Sequence, residues 1–216
     1  MAGEYDPKEL ALGLGAGAAA FAFAFRGRRP GFWFRMALAA GGLGLFALSR
    51  RRIRPSRPTP ADLAAGLLSA ALLYGIFQAG DRLSRRWLPR GEAEIRAIYR
   101  LREEAPRPVI AVLLAGAIAP AEEAFWRGFV VDALSRRYPP AAAALLGAAL
   151  YAGAHAVTAN LTLIGAAGVA GLFWSAQYLL QRRLAPVVIS HVVWDLWVFL
   201  IAPTPTGRSP AVQTYR

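Results

Sequence analysis

The chain has 216 residues, of which 56% are hydrophobic, no cysteine, and a formal charge of +12 carried by 24 arginines and a single lysine, Lys8. No cysteine means no disulfide framework, no thiolate metal site and no cysteine nucleophile. The positive charge is not that of a nucleic-acid binder, because the arginines cluster in short segments between apolar runs, where membrane proteins place their anchors. Such a composition is that of a polytopic membrane protein.

Apolar runs long enough to cross about 30 Å of hydrocarbon at about 1.5 Å per residue predict about seven spans. They lie near 10–25, 31–49, 61–80, 108–134, 141–157, 160–180 and 186–203. The acidic-leaning start, Met1 to Glu9, does not read as a cleaved signal peptide, so the first span is expected to be retained. That span is the shortest and fits a re-entrant or interfacial helix as well as a crossing, since Phe21, Phe23 and Phe25 end it against Arg26, Arg28 and Arg29. The third opens with Thr59, Pro60 and Asp62: an N-cap residue, proline at the first helical position and an acid near the positive end of the dipole.

The long polar stretch from Asp81 to Arg107 separates the third and fourth spans. Ile95, Ile98 and Tyr99 share one face there, and Glu92 and Arg96 stand four apart, which predicts an amphipathic helix on the membrane surface or a solvated linker helix. Gly165, Gly168 and Gly171 recur every three residues in the sixth span, a pattern that lets membrane helices approach closely. Lys and Arg divide almost evenly between the two sides, so charge imposes little bias on orientation. The expected organisation is N-terminal membrane helices with the surface helix over 1–107, a catalytic core over 108–203 and a polar tail over 204–216. The fold class is an all-α integral membrane bundle, expected in a prokaryotic cell membrane.

Chemistry is concentrated in the fourth, fifth and seventh spans. The fourth holds Pro120-Ala121-Glu122-Glu123-Ala124-Phe125-Trp126-Arg127. A central Asp, Glu or Arg costs roughly 2.5 to 3.5 kcal/mol in lipid, so Glu122, Glu123, Arg127 and Asp195 must face one another or water. Glu123 and Arg127 are one helical turn apart and can neutralise each other, whereas Glu122 points about 100° away and has no partner on its own helix. Pro120 breaks the ladder and frees a carbonyl, tolerated only beside protein or water. The only two histidines are His155, four after Tyr151, and His191, four before Asp195. Counted from the span ends, Glu122 and His155 both lie about 21 Å from one membrane face, and His191 and Asp195 about 12 and 18 Å.

A glutamate beside a histidine in a desolvated site can take a proton from water, the general-base step of hydrolysis, and a second histidine can donate to an oxyanion. Glu122, His155, His191 and Asp195 are also ligand types for a divalent metal such as zinc, although the compact H-E-x-x-H spacing is missing. Water activated directly and water bound to a metal both remain open at this level. Intramembrane acids and histidines also build proton relays, but no paired broken helices or inverted repeat point to a transporter.

These residues resemble the CAAX-processing and bacteriocin-processing intramembrane protease family (CPBP, or ABI), which includes the type II CAAX prenyl endopeptidases. The family pattern is E-E-x-x-x-R, then F-x-x-x-H, then H-x-x-x-N or D. Glu122-Glu123-x-x-x-Arg127 matches fully, Tyr151-x-x-x-His155 replaces phenylalanine by tyrosine, and His191-x-x-x-Asp195 takes the acidic variant. The likeness covers roughly 108 to 203. It implies an endopeptidase acting on a membrane-associated peptide or protein, prenylated CAAX-like substrates included. Glu122 would activate water that His155 orients, Arg127 would brace Glu123, and His191 with residue 195 would support the oxyanion. Aspartate at 195 would orient His191, hold a metal or act as a neutral acid, and the Tyr151 hydroxyl needs a partner. The family also contains members tied to bacteriocin immunity, so a non-catalytic membrane partner on the same scaffold is the alternative.

Overall fold

The computed structural model describes residues 6–26, 31–50 and 57–203. Six helices are long and apolar enough to cross a membrane: Pro7–Arg26, Phe32–Ser49, Pro60–Trp87, Arg107–Ser135, Pro140–Thr158 and Leu161–Gln181. A seventh apolar helix, Ala185–Ile201, is shorter. No strand occurs among the described residues, and the protein is a polytopic helical membrane bundle. The seven predicted runs correspond to these seven helices. The first, at 20 residues, is long enough for a full crossing, while Arg28, Arg29 and the tail from 204 lie outside the described residues.

The third helix starts as its sequence dictates. Thr59 Oγ1 accepts from the Asp62 N–H at 3.2 Å, and Asp62 Oδ2 accepts from the Thr59 N–H at 2.7 Å, with Pro60 at the first position. Arg183, in the turn before the seventh helix, adds a two-pronged bond to the same carboxylate, 2.7 Å to Oδ1 and 2.6 Å to Oδ2. This fork ties the third and seventh helices, which pack along each other. The Asp62 carboxylate raises the Arg183 guanidinium above its ordinary value.

The polar stretch after residue 80 is not one surface helix. The third helix continues to Trp87, and a separate helix runs from Gly91 to Tyr99. Ile95 is buried on its inner face, and Arg96 meets Glu92 at 3.4 Å. Gly91 is required: a Cβ there would overlap the Ser84 carbonyl. The Glu94 carboxylate accepts from the Thr162 N–H at 2.9 Å and from its hydroxyl at 2.7 Å, and Asn160 Nδ2 donates to the Glu94 carbonyl at 3.1 Å. The amphipathic helix is thus latched onto the start of the sixth span.

Burial pushes the Glu94 carboxyl up, but the hydrogen bonds from Thr162 and from the Leu161 backbone, with the nearby Arg90 charge, together outweigh it and hold the group below its usual value. A carboxyl lowered on folding contributes stability that is fully present above its unfolded value of about 4.3 and is lost as pH falls through the lower folded value. Glu94→Gln should therefore flatten the fall in unfolding temperature between about pH 5 and pH 3 in detergent, read by a thermal melt at each pH.

Candidate active site

The fourth helix, Arg107–Ser135, is not a uniform α-helix. Pro120 has no N–H to give the Gly116 carbonyl, and the turn just before it opens: Leu114–Ile118 is a π segment in which the Ala119 N–H reaches back five residues to Leu114. A second π segment, Trp126–Val131, lies just after the motif, with the Asp132 N–H bonded to the Arg127 carbonyl. Each such turn accommodates one extra residue, swinging the downstream side chains by about 100° relative to an unbroken helix. Between the two, the α-helical turn Ala119–Phe125 carries Glu122 and Glu123. The second helix supports this turn from behind, where a Cβ on Gly44 would come within 2.8 Å of the Ala121 Cβ.

Glu123 and Arg127 are among the most buried side chains of the molecule, at 0% and 1% exposure. Arg127 Nη1 donates to Glu123 Oε1 at 2.9 Å, and His191 Nδ1 meets the same oxygen at 2.7 Å. Arg127 Nη2 reaches the Gly171 carbonyl of the sixth helix at 3.4 Å. The guanidinium also lies against two aromatic rings, with Cζ 4.8 Å from the centre of Tyr151 and 5.3 Å from that of Trp174. One charge pair therefore joins the fourth, fifth, sixth and seventh helices.

His191 stacks on Trp174 at 4.0 Å between ring centres, and Trp174 Nε1 donates to Ser190 at 3.0 Å. The other ring nitrogen of His191, Nε2, stands 3.4 Å from Asp195 Oδ2. With a carboxylate at each nitrogen, the ring donates to both only when both nitrogens carry protons.

Glu122 faces a different environment. Its Oε2 accepts from the Tyr151 hydroxyl at 2.7 Å, while Oε1 accepts from none of the described residues. Tyr151 is also joined to His155: its carbonyl meets His155 Nδ1 at 2.9 Å, and the two rings pack edge to face at 4.8 Å. A carbonyl only accepts, so Nδ1 carries the proton and Nε2 is left free for the cavity. The α-helical part of the fifth helix ends at His155, and a 3-10 turn carries it on to Thr158. Beyond it, Ala159 adopts a left-handed φ of 51° and Asn160 caps the sixth helix.

Glu122, His155, His191 and Asp195 all line one cavity of about 800 Å³. The three predicted motifs therefore meet at one place, with Glu123 and Arg127 buried behind it. Apart from Gln78, Asp81, Ser84 and Thr162, the rest of the lining is mostly apolar and aromatic, with residues such as Phe25, Trp33, Phe77, Tyr99, Trp194 and Phe199. Sequence reasoning did not find the Tyr151–Glu122 bond, the Trp174 stack or the hydrogen bond to Ser190. The available signal for the first was a hydroxyl in an apolar helix, which must find a partner when buried.

As arranged, the donors do not fit a metal site. Both nitrogens of His191 are turned onto carboxylates, and Nδ1 of His155 is committed to a carbonyl. Among the described residues no three His, Asp or Glu side chains are grouped to hold an ion.

Fold and site together define a helical membrane protein whose spans close around a cavity lined by carboxylates and histidines. Residues 105–197 match the family described as Rce1-like, type II CAAX prenyl endopeptidase. This segment, which holds all six site residues, is similar to the CPBP or CAAX-protease family. No protein of curated function and no solved structure matches the chain.

The ion pair is open to a direct test. Arg127→Met leaves Glu123 buried without its cation and should destabilise the protein by about 3 to 5 kcal/mol. Combining it with Glu123→Gln should recover part of that loss, because the uncompensated charge is gone. Unfolding temperatures of the two single variants and the double variant in detergent give the comparison.

Proposed function

We propose that the protein is an intramembrane endopeptidase in which Glu122 activates water directly for attack on a peptide bond of a membrane-associated substrate. The observation that carries this reading is the meeting of Glu122, His155, His191 and Asp195, from three separate helices, on one cavity. The family match over the same residues supports it. The apolar, aromatic walls suit a peptide that dips into the bilayer or bears a lipid, and a prenylated CAAX-like terminus is the substrate type the family name suggests.

The chemistry uses the atoms that the protein leaves free. A water between Glu122 Oε1 and His155 Nε2 is held by two groups with no other partner in the site. Its oxygen attacks the carbonyl carbon while one proton passes to Glu122, and charge develops on the carbonyl oxygen. His191 Nε2, 3.4 Å from Asp195 Oδ2, shares its N–H with that oxygen when it is protonated. Collapse breaks the C–N bond, and the proton on Glu122 goes to the departing amine. One water is consumed, leaving a carboxylic acid and an amine. None of these steps is routed through a metal.

Purified protein in liposomes, given a membrane-anchored peptide and followed by mass spectrometry, tests this. Glu122→Gln and His155→Ala should each reduce cleavage at least about 100-fold while the unfolding temperature stays near that of the parent. Cleavage at the parental rate by both variants would overturn the reading. Variants that lose cleavage yet preserve the cellular phenotype would point to the non-catalytic partner role on the same scaffold.

A further inference from the structure

Tyr151 touches every part of the proposed water-activating site through a different chemical group. Its hydroxyl donates to Glu122, its carbonyl accepts from His155, and its ring faces the Arg127 guanidinium. A phenol is an economical donor for this place: it is rigid, it is anchored by Trp126 at 5.2 Å and by Phe21 at 6.4 Å between ring centres, and it carries no net charge into the membrane.

We propose that Tyr151 is a positioning residue whose hydroxyl pins Oε2 of Glu122 and thereby turns Oε1 toward the water shared with His155. The inference rests on the hydrolytic reading of the site and deepens it. A carboxylate on a flexible side chain, with nothing on either oxygen, would sample several rotamers in an 800 Å³ cavity. One fixed oxygen removes that freedom. Because the carbonyl of the same residue fixes the tautomer of His155, the two groups that flank the water are held by one side chain and its own backbone. The hydroxyl donates and the phenol stays whole, so Tyr151 supplies geometry and no proton to the reaction.

Tyr151→Phe tests this with the ring and the backbone carbonyl retained. In the liposome assay kcat should fall roughly 10- to 100-fold, the value of a hydrogen bond to a charged group, with KM and unfolding temperature unchanged. A kcat within twofold of the parent, a loss confined to KM, or a loss matched by a fall in unfolding temperature would overturn the proposal. A second measurement does not depend on turnover. A hydrophobic carbodiimide modifies intramembrane carboxyls in their free, protonated form, and its rate at Glu122 is read by peptide mass spectrometry. Tyr151→Phe should raise that rate severalfold, since a donated hydrogen bond both shields the carboxylate and favours its charged form; an unchanged rate would overturn the proposal. If the parent protein cleaves nothing, the hydrolytic reading fails while the carbodiimide rates still decide whether Tyr151 governs Glu122.

Discussion

The buried Glu123–Arg127 pair is the interaction on which the remaining site geometry depends. Two opposite charges out of water are tolerated only when their remaining hydrogen-bonding groups are met by the protein. Here the Gly171 carbonyl, the His191 ring and the faces of Tyr151 and Trp174 meet part of that demand, while Glu123 Oε2 and Arg127 Nε are buried without a hydrogen-bond partner among the described residues. Four helices are thereby fixed at one depth. The polar side of the cavity is assembled around a cation that itself never lines it.

The close approach of these helices depends on small residues at defined points. A Cβ at Gly171 would come within 3.1 Å of the Ala148 Cα, which brings the fifth and sixth helices together where Arg127 reaches across. Gly44 does the same for the second helix against Ala121, one residue before Glu122. The π turns on either side of the motif add a second constraint. They let a short α-helical turn present two adjacent carboxylates to different surroundings, and the Pro120 ring is the chemical reason for the first of them.

Much of this was legible in sequence because lipid imposes simple rules. Hydropathy located the helices, and Thr59, Pro60 and Asp62 mark the start of the third as cap, proline and acid, although the capping box that Asp62 closes is visible only in the structure. The pairing of Glu123 with Arg127 is implied by a four-residue spacing. Contacts that cross between helices were not legible. Equal depth brought Glu122 and His155 to the same level, yet depth carries no azimuth, so the intervening role of Tyr151 and the capture of His191 by Glu123 required coordinates. The polar stretch from Asp81 misled for a related reason. Its charges suggested an interface with water, whereas Arg85 pairs with Asp81 at 2.9 Å inside an extended third helix, and Glu94 turns inward onto Thr162.

The two adjacent glutamates illustrate how one sequence motif yields two chemistries. Glu123 is met by a guanidinium and an imidazole at the same oxygen, 2.9 and 2.7 Å away. That oxygen is taken up by two donors, and burial at 0% exposure keeps the carboxylate away from the cavity. Glu122 is met by a neutral phenol at one oxygen only, and the residue lines the cavity. It keeps one oxygen without a partner among the described residues and has access to the cavity. The difference arises from the register of one helical turn: moving the carboxylate by one position, about 100° around the axis, exchanges the face of Arg127 and His191 for that of Tyr151. Swapping the roles would require rebuilding the partners on three other helices, so the division of labour is a property of the bundle and not of the glutamates themselves.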